Sequence, residues 1–488
     1  MMYHKVKALA GQSLVYGAGQ LATKVVGFAL TPFYSYWLTV AEFGEFNLYY
    51  SFIAVAQVIF IYGLDIALMR YYVPLKEDEA RRDLFSTVLI LSCFTSTLLA
   101  GVFWLIREPM TALVLTRGGD PVVFMYCLAV LWSDTFMALP FVVLRAQQRA
   151  WQYTSLRMVG VVLNVIMNWV LVGMMHTGLR GIFIANIASS LLTLIPLLWL
   201  IRHDISWKFH RNLLPPILKF GLPNIPNLFF VMVFEISPRK LLEVYSSAEQ
   251  TGLYSMGAKL GMVFSILAMA FRNAWAPFFL EEGEKPDSPE LFARVLTYFL
   301  LIFGVLFLGL TYFLPPLVEA KLPGFGAPMI AKKFWVGIEI FPVILLGQVF
   351  NGVAANLSAG FYLRNRIYIQ AFISGLAATL SFLFCIWLIP SYGLWAAAWS
   401  VVVGYGGMAL GEWIYARKSY PVPYEGKRLL HVALAVATWW YVGTILTDMV
   451  LLRVGLFLLF PLLLWFTGFF LATERHRILQ QLRRKPAI

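Results

Sequence analysis

Four side chains able to contact polar ligands recur every fourth residue near the N-terminus of the chain. They are Gln12, Tyr16, Gln20 and Lys24, and this spacing places them along one side of an α-helix. The neighbouring residues are strongly apolar, and a polar stripe ending in a lysine is typical of a membrane helix that lines a water-filled cavity. The open alternative is hydrogen bonding between helices by the Tyr and Gln side chains, with Lys24 extending to an interface.

A second group of polar side chains lies in later apolar segments. Asn227 and Glu235 follow Pro223 and Pro226, and prolines bend a membrane helix and free its backbone carbonyls. Lys259 comes in the next apolar segment, where an ammonium in low dielectric can bind an anionic group such as a pyrophosphate. A structural pair with a nearby carboxylate is the alternative for this lysine. We predict that this second group lines the same cavity as the N-terminal stripe.

Opposite charges fall at equivalent positions in the two halves of the chain. Glu235 lies within a residue or two of the position that matches Lys24, and Asp65 aligns with Arg272. Ionisable groups inside a membrane cost about 3 kcal/mol each and therefore face a partner or water. We hypothesise that Lys24 faces Glu235 across a cleft between the halves. The candidates for coupling or charge pairing are Asp65, Arg272 and Asp134.

Arginines also recur at the predicted cytoplasmic helix ends of both halves. They are Arg145, Arg149, Arg364 and Arg366. The preference of positive residues for the cytoplasmic side accounts for them without a ligand. The alternative is that they make the first contact with an anionic lipid head group.

The composition identifies the setting in which these side chains act. Of the 488 residues, 60% are hydrophobic and only 13% are charged, and the mean hydropathy is +0.75. A water-soluble globular protein carries about one-quarter charged residues. Apolar runs long enough to cross a bilayer recur from end to end, and we count about fourteen of them. The sequence therefore predicts an all-α polytopic membrane protein.

A faint internal repeat indicates how the spans are organised. Ala41-Glu42 precedes the segment Leu84–Leu89, and Ala248-Glu249 precedes the similar segment Leu291–Leu296 at the same interval. Two copies of one membrane unit are an architecture typical of transporters, with polar sites formed where the copies meet.

We predict two pseudo-symmetric six-helix lobes, at residues 1–205 and 206–420, with two additional spans and a basic tail at 421–488. The formal charge of +13 could suggest nucleic-acid binding. Threading the chain with its N-terminus inside places most of the 38 Lys and Arg residues on the cytoplasmic side. We therefore attribute the basic charge to membrane topology, expect both termini in the cytoplasm, and predict no nucleic-acid partner.

The chain shows no signature of an enzyme. We find no phosphate-binding glycine loop, no nucleophile motif and no metal-ligand cluster, and no predicted loop exceeds about 25 residues. Cys93, Cys127 and Cys385 fall inside predicted spans and are interpreted as packing residues. We predict no catalytic residue, no metal and no cofactor.

Four stretches of the first lobe form a recognisable set of motifs: Gly11–Gly17, Pro32–Leu38, Ala41–Gly44 and Gly63–Tyr72. The last of them, GLDIALMRYY, is the most specific. Together they resemble the polysaccharide transporter family, a group of flippases for lipid-linked oligosaccharides that includes the O-antigen flippases. The family belongs to the same superfamily as the multidrug and toxin extrusion transporters.

The resemblance implies a central cationic cavity and transfer of a polyprenyl-pyrophosphate-linked oligosaccharide from the inner to the outer leaflet by alternating access. It also implies a bacterial inner-membrane location, coupling to a proton or sodium gradient, and a role in surface polysaccharide such as lipopolysaccharide. Membrane lipids, a polysaccharide polymerase and chain-length proteins are the partners expected on this basis. A cation-coupled multidrug exporter is the main alternative, followed by a membrane glycan polymerase or ligase.

Overall fold

The computed structural model describes residues 27–222, 225–283, 285–321, 326–364, 366–445, 450–472 and 474–476. Within these ranges the chain is almost entirely helical, and the pairing of extended backbone is limited to an isolated bridge between Lys321 and Pro328. The helices are α1 (27–37), α2 (Val40–Ile61), α3 (Leu64–Tyr72), α4 (Asp78–Leu105), α5 (Arg107–Val114), α6 (Pro121–Ala146), α7 (Ala150–Asn168), α8 (Gly178–Ile201), α9 (Leu214–Gly221), α10 (Ile225–Tyr245), α11 (Ala248–Glu282), α12 (Ser288–Glu319), α13 (Phe341–Leu357), α14 (Ala359–Leu363), α15 (Ile367–Ser419), α16 (Gly426–Ile445) and α17 (Val450–Phe466).

Nine helical segments in the described ranges are long and apolar enough to cross a membrane. They are Val40–Ile61, Asp78–Leu105, Pro121–Ala146, Ala150–Met174, Gly178–Asp204, Ala248–Met269, Ser288–Glu319, Phe341–Leu363 and Tyr368–Ser419. The shorter helix α17 is also apolar. The chain is an all-α polytopic membrane protein, which confirms the fold class predicted from its composition.

The longest helical segment, α15, contains a sharp break at Gly393. The backbone there has φ 50° and ψ −122°, a combination that only glycine adopts without a steric clash. The break divides α15 into two helices, at 367–392 and 394–419. One segment of 53 residues therefore supplies two apolar helices.

Local sequence explains where the helices that form the site begin. The Thr39 side chain accepts a hydrogen bond from the Glu42 backbone N–H at 3.1 Å, and the Glu42 carboxylate accepts one from the Thr39 N–H at 2.8 Å. This reciprocal cap satisfies two free donors at the start of α2. Asp120 caps α6 by accepting from the Val122 N–H at 2.8 Å.

The described residues form two compact units. The first contains the chain up to Ile266 together with Lys333–Ile340 and Ser374–Gly404. The second contains Leu267–Lys332, Phe341–Ile373 and the chain from Tyr405 onwards. The predicted lobe boundaries at residues 205 and 420 concern an internal repeat and stay a prediction.

Two features hold the helices of the first unit together. A Cβ at Gly44 would come within 2.1 Å of the Ala248 carbonyl oxygen, so α2 and α11 approach more closely there than any larger residue allows. The buried carboxylate of Glu243 accepts hydrogen bonds from Thr116 Oγ1 at 2.5 Å, Arg117 N at 3.2 Å and Lys240 Nζ at 2.7 Å. The loop before α6 is thereby tied to α10.

In the second unit an ionic network surrounds Arg428, in the first turn of α16. Its guanidinium contacts Glu425 and Glu474, each at 2.9 Å. Glu425 also accepts a hydrogen bond from Thr297 Oγ1 of α12 at 2.7 Å. The network therefore joins α12, α16 and the segment that follows α17.

Candidate functional site

A cavity of about 540 Å³ lies within the first unit, between α1, α2, α6, α7, α8, α10 and α11. Five charged side chains line it: Asp134, Arg157, Glu235, Arg239 and Lys259. Its neutral polar lining consists of Tyr34, Asn47, Tyr50, Ser51, Asn164, Asn186, Ser189, Ser190 and Thr193. Because apolar spans enclose this polar surface, the cavity is suited to a polar group inside the membrane.

Lys259 of α11 sits among aromatic rings. Its Nζ lies 4.4 Å from the ring centre of Phe46, 4.9 Å from that of Phe43 and 5.9 Å from that of Tyr34. Ring faces attract the ammonium without neutralising its charge. In the part of the chain that the structure describes, no ion pair joins Lys259 to an Asp or Glu.

Two arginines add to the positive charge of the lining. The Arg157 guanidinium of α7 lies 4.0 Å from the ring centre of Phe141. Arg239 of α10 donates to the Glu235 backbone carbonyl at 2.6 Å, one turn earlier in the same helix. Both contacts position the guanidinium groups and leave further N–H donors for a ligand.

The two acidic side chains of the cavity have different surroundings. Asp134 of α6 accepts a hydrogen bond from Ser190 Oγ of α8 at 3.1 Å. Glu235 of α10 is exposed to the cavity. The lining therefore contains three cations and two carboxylates among its described residues.

A chain of neutral side chains runs along one wall of the cavity. Asn164 Nδ2 donates to Asn186 Oδ1 at 3.0 Å, and Asn186 Nδ2 donates to the Tyr50 hydroxyl. Behind them the buried Asn168 donates to Asn164 Oδ1 at 3.1 Å and accepts from the Tyr34 hydroxyl at 2.9 Å. The chain therefore links α1, α2, α7 and α8.

The structure brings some of the predicted site residues together and places others elsewhere. Asp134, Glu235 and Lys259 line the one cavity described above. Asp65 lies in the first turn of α3 and is not among the residues of that lining. Arg272 belongs to the second unit and donates to Asn351 Oδ1 at 3.2 Å.

Other predicted positions fall outside what the structure describes. Gln12, Tyr16, Gln20 and Lys24 precede the first described residue, and the side chain of Asn227 is likewise not described. The hypothesis that Lys24 faces Glu235 stays a prediction.

The four arginines predicted to contact lipid head groups are at helix ends. Arg145 is in the last turn of α6, and Arg149 pairs with Asp204 at 3.7 Å. The Arg364 guanidinium lies 5.9 Å from the Tyr420 ring centre, and the exposed Arg366 donates to the Tyr368 hydroxyl at 2.6 Å.

The sequence analysis missed several residues of the cavity. Arg239 stands one turn after Glu235 in the same apolar segment, a spacing that predicts a shared helix face. Tyr50 and Asn186 gave no such signal, because isolated Tyr and Asn side chains in membrane segments are also common in helix packing. Only the convergence of α2 and α8 shows that they share a wall.

The fold and this cavity define a polytopic membrane protein with a polar site enclosed by its spans. The chain belongs to the family described as polysaccharide biosynthesis protein, whose sequence profile matches residues 9–282. This finding confirms the family predicted from the motifs of the first lobe.

Relatives and solved structures agree with this assignment. The chain is 24% identical over 313 residues to protein 1 of the Lsg locus of Haemophilus influenzae, covering 59% of this chain and 71% of the relative. An uncharacterised membrane protein of the same organism is 23% identical over 357 residues, covering 70% of this chain and 80% of the relative.

Two solved structures show the same fold. The lipid II flippase MurJ in an inward closed conformation has a TM-score of 0.72 at 13% identity, covering 93% of this chain and 98% of that chain. The MATE transporter VcmN from Vibrio cholerae has a TM-score of 0.59 at 19% identity, covering 84% of this chain and 96% of that chain.

Proposed function

We propose that this protein is a flippase that moves a polyprenyl-pyrophosphate-linked oligosaccharide from the inner to the outer leaflet by alternating access. The observation that carries the proposal is the cluster of Arg157, Arg239 and Lys259 in a cavity enclosed by apolar spans. A pyrophosphate is the group of such a lipid that is most costly to move through hydrocarbon. Cations in low dielectric offset that cost through charge-assisted hydrogen bonds.

The contacts of the cations support an anionic ligand. Lys259 is surrounded by ring faces, and Arg157 lies against one. These contacts position the two side chains and leave their N–H groups able to donate hydrogen bonds to a ligand. A guanidinium can donate two parallel hydrogen bonds to phosphate oxygens, and an ammonium binds them as a compact charge. A volume of about 540 Å³ is within the usual range for a ligand site.

The comparisons support a lipid-linked glycan as the substrate. The description of the family is polysaccharide biosynthesis protein, and one solved structure with this fold is named as a lipid II flippase. Transport of this kind forms no covalent bond, so we propose that the protein is not an enzyme.

The cellular setting completes the proposal. We place the protein in a bacterial inner membrane with both termini in the cytoplasm, because its basic residues collect on the cytoplasmic side of the predicted topology. A proton or sodium gradient would drive the transport, and the exported units would supply surface polysaccharide such as O-antigen. A polymerase and chain-length proteins would act on the product.

A multidrug exporter is the second candidate function. The observation that favours it is the exposed Glu235 carboxylate in a cavity with many aromatic side chains, since such surroundings bind organic cations. The fold shared with MATE transporters is compatible with this function. The excess of cations over carboxylates in the described lining favours the flippase.

The test is a translocation assay in proteoliposomes of known protein orientation. A fluorescent polyprenyl-pyrophosphate sugar is placed in the leaflet that corresponds to the cytoplasm, and a membrane-impermeant glycosidase detects sugar that reaches the other leaflet. We expect transfer by the wild-type protein and a large loss in Lys259→Ala. The matched control is Lys285→Ala, because Lys285 is exposed and pairs with Glu282 at 2.6 Å outside the cavity.

One result would overturn the proposed function, and another would overturn the proposed site. The first is the absence of transfer of any lipid-linked sugar while an organic cation moves along a proton gradient, which would favour the exporter. The second is equal transfer by Lys259→Ala and the wild type, which would establish flipping but remove Lys259 from its mechanism.

A further inference from the structure

One wall of the cavity carries no charge but has unused hydrogen-bonding capacity. It is formed by Tyr50 of α2, Asn164 of α7 and Asn186 of α8, which we call the amide wall. The hydrogen bonds Asn164 to Asn186 and Asn186 to Tyr50 hold the three side chains in one row. Three helices therefore meet at a fixed neutral surface within the cavity.

The amide wall keeps both donors and acceptors available. Asn186 uses one N–H toward Tyr50 and one oxygen lone pair toward Asn164. Since an amide has two N–H donors and two lone pairs, one of each is left in the described structure. Tyr50 accepts from Asn186 and retains its own O–H donor. A ligand group that donates and accepts at the same atom matches this surface.

The packing of Tyr50 explains why the surface is fixed. Its ring stacks on Phe183 with centres 5.6 Å apart and contacts Phe46 at 4.7 Å. The buried Asn168 is bonded to Asn164 from behind. Asn168 and the Asn164 side-chain oxygen therefore serve helix packing, while Asn186 and Tyr50 face the cavity.

The chemistry of the amide wall differs from that of the cations in the same cavity. Arg157 and Lys259 supply donors only, and carboxylates supply acceptors only. A sugar hydroxyl needs one donor and one acceptor at once, which the neighbouring amide and phenol groups provide. Aromatic and amide side chains in a largely apolar pocket are a usual surface for orienting a neutral polar ligand.

We propose that the amide wall binds the hydroxyl groups of the neutral sugars nearest the pyrophosphate, with Asn186 and Tyr50 as the contacting residues and Asn164 as a positioning residue. This inference rests on the proposed flippase function and deepens it by dividing the cavity into a head-group part and a sugar part. Replacing Asn186 alters the preference between sugars and leaves the affinity for the bare lipid pyrophosphate unchanged.

The experiment measures binding of two kinds of probe to the full-length protein in lipid nanodiscs. The first is undecaprenyl pyrophosphate without sugar. The second is the same lipid carrying one of three neutral disaccharides: hexose only, hexose with N-acetylhexosamine, or hexose with deoxyhexose. The variants are Asn186→Leu, which keeps the number and branching of the side-chain heavy atoms but removes both hydrogen-bonding groups, and Lys259→Ala. The matched control is Thr379→Val, because Thr379 lies outside the cavity lining and its hydroxyl donates to the Gly375 carbonyl at 3.0 Å.

The wild-type protein is expected to bind at least one glycosylated lipid more tightly than the bare lipid. Asn186→Leu should lose that gain, about tenfold in affinity, with unchanged binding of the bare lipid, which also shows that the variant is folded. Lys259→Ala should weaken binding of every probe, and Thr379→Val should behave as wild type.

Different results overturn the two proposals. If the wild type binds the bare and all glycosylated lipids equally, the amide wall does not recognise sugar and the flippase proposal stands. Equal weakening of all probes by Asn186→Leu also removes the sugar role. If the wild type binds no pyrophosphate lipid at all, the proposed function itself fails, and the amide wall proposal fails with it.

Discussion

Lys259 and Arg428 are both cations in the helical body of the protein, yet their surroundings differ in one respect. Lys259 has three aromatic rings around its ammonium. Arg428 lies 4.7 Å from the Phe469 ring centre and in addition contacts Glu425 and Glu474 at 2.9 Å. Aromatic neighbours are therefore common to both sites, and carboxylate partners distinguish the second.

The difference separates a cation that can bind a ligand from one that stabilises the fold. Two carboxylates satisfy the charge of Arg428, and its side chain is only 11% exposed. Ring faces leave the charge of Lys259 available in a cavity. A charged residue in an apolar segment therefore does not by itself indicate a ligand site. The partners that the structure gives it decide between a ligand site and a stabilising ion pair.

The largest expected effect is on transport. Lys259→Ala should lower the initial rate of lipid translocation about 50-fold, because a charge-assisted contact with the pyrophosphate is lost. Arg428→Ala should leave the rate per folded molecule unchanged. The proteoliposome assay, normalised to folded protein by gel filtration, measures both. A similar loss of transport rate in Lys259→Ala and Arg428→Ala would show that carboxylate partners do not separate a structural cation from a functional one.

Stability should respond in the opposite order. Arg428→Ala removes the cation that pairs with Glu425 and Glu474 and should lower the free energy of unfolding by about 2 kcal/mol. Lys259→Ala should change it little, since no ion pair is broken among the described residues. Thermal unfolding followed by tryptophan fluorescence tests this prediction.

The control for stability is Arg81→Ala. Arg81 pairs with Asp78 at 3.7 Å, but Asp78 is 82% exposed, so we expect a change below about 0.5 kcal/mol. An equal loss of stability in Arg81→Ala and Arg428→Ala would mean that burial of the Arg428 network does not increase its contribution to the free energy of unfolding.

A smaller effect should come from the aromatic rings themselves. Phe46→Leu keeps an apolar side chain but removes the ring 4.4 Å from Lys259, and we expect about threefold weaker binding of the bare lipid pyrophosphate. Combined with Lys259→Ala, Phe46→Leu should cause no further loss, because both act on one contact. Additive losses in the double variant would place the role of Phe46 elsewhere.

The smallest effect concerns the exposed pair of Lys285 and Glu282. The hydrogen bond to Glu282 raises the pKa of Lys285 above its ordinary value of 10.5. Stability gained from a raised lysine pKa is complete below the ordinary value and is lost only as pH rises through the raised one. Unfolding of Lys285→Ala should therefore differ from wild type by the same small amount at pH 6 and pH 8. A difference that changes between these values would indicate another titrating group.

The sequence was sufficient to predict the fold class and the family. Apolar runs of spanning length leave few structures other than membrane helices, and the motif around Asp65 and Arg70 points to the family. Both predictions are confirmed, by the helices of the described chain and by the family profile.

The site was only partly accessible from the sequence. Asp134, Glu235 and Lys259 stood out because charges are costly inside a membrane, and the structure places all three on one cavity. Their functional roles stay predictions. The amide wall could not be found in this way, since Tyr50 lies 136 residues before Asn186 in the sequence and neutral side chains carry no comparable cost.

The break at Gly393 has a consequence for the genetics of the protein. Its conformation, φ 50° and ψ −122°, lies outside the regions open to residues with a Cβ, although the surrounding space would admit a larger side chain. Any missense change of a glycine codon introduces such a residue. In a library that carries every amino acid at position 393, selection for function should return glycine codons alone, and silent third-base changes should be the variation that survives there.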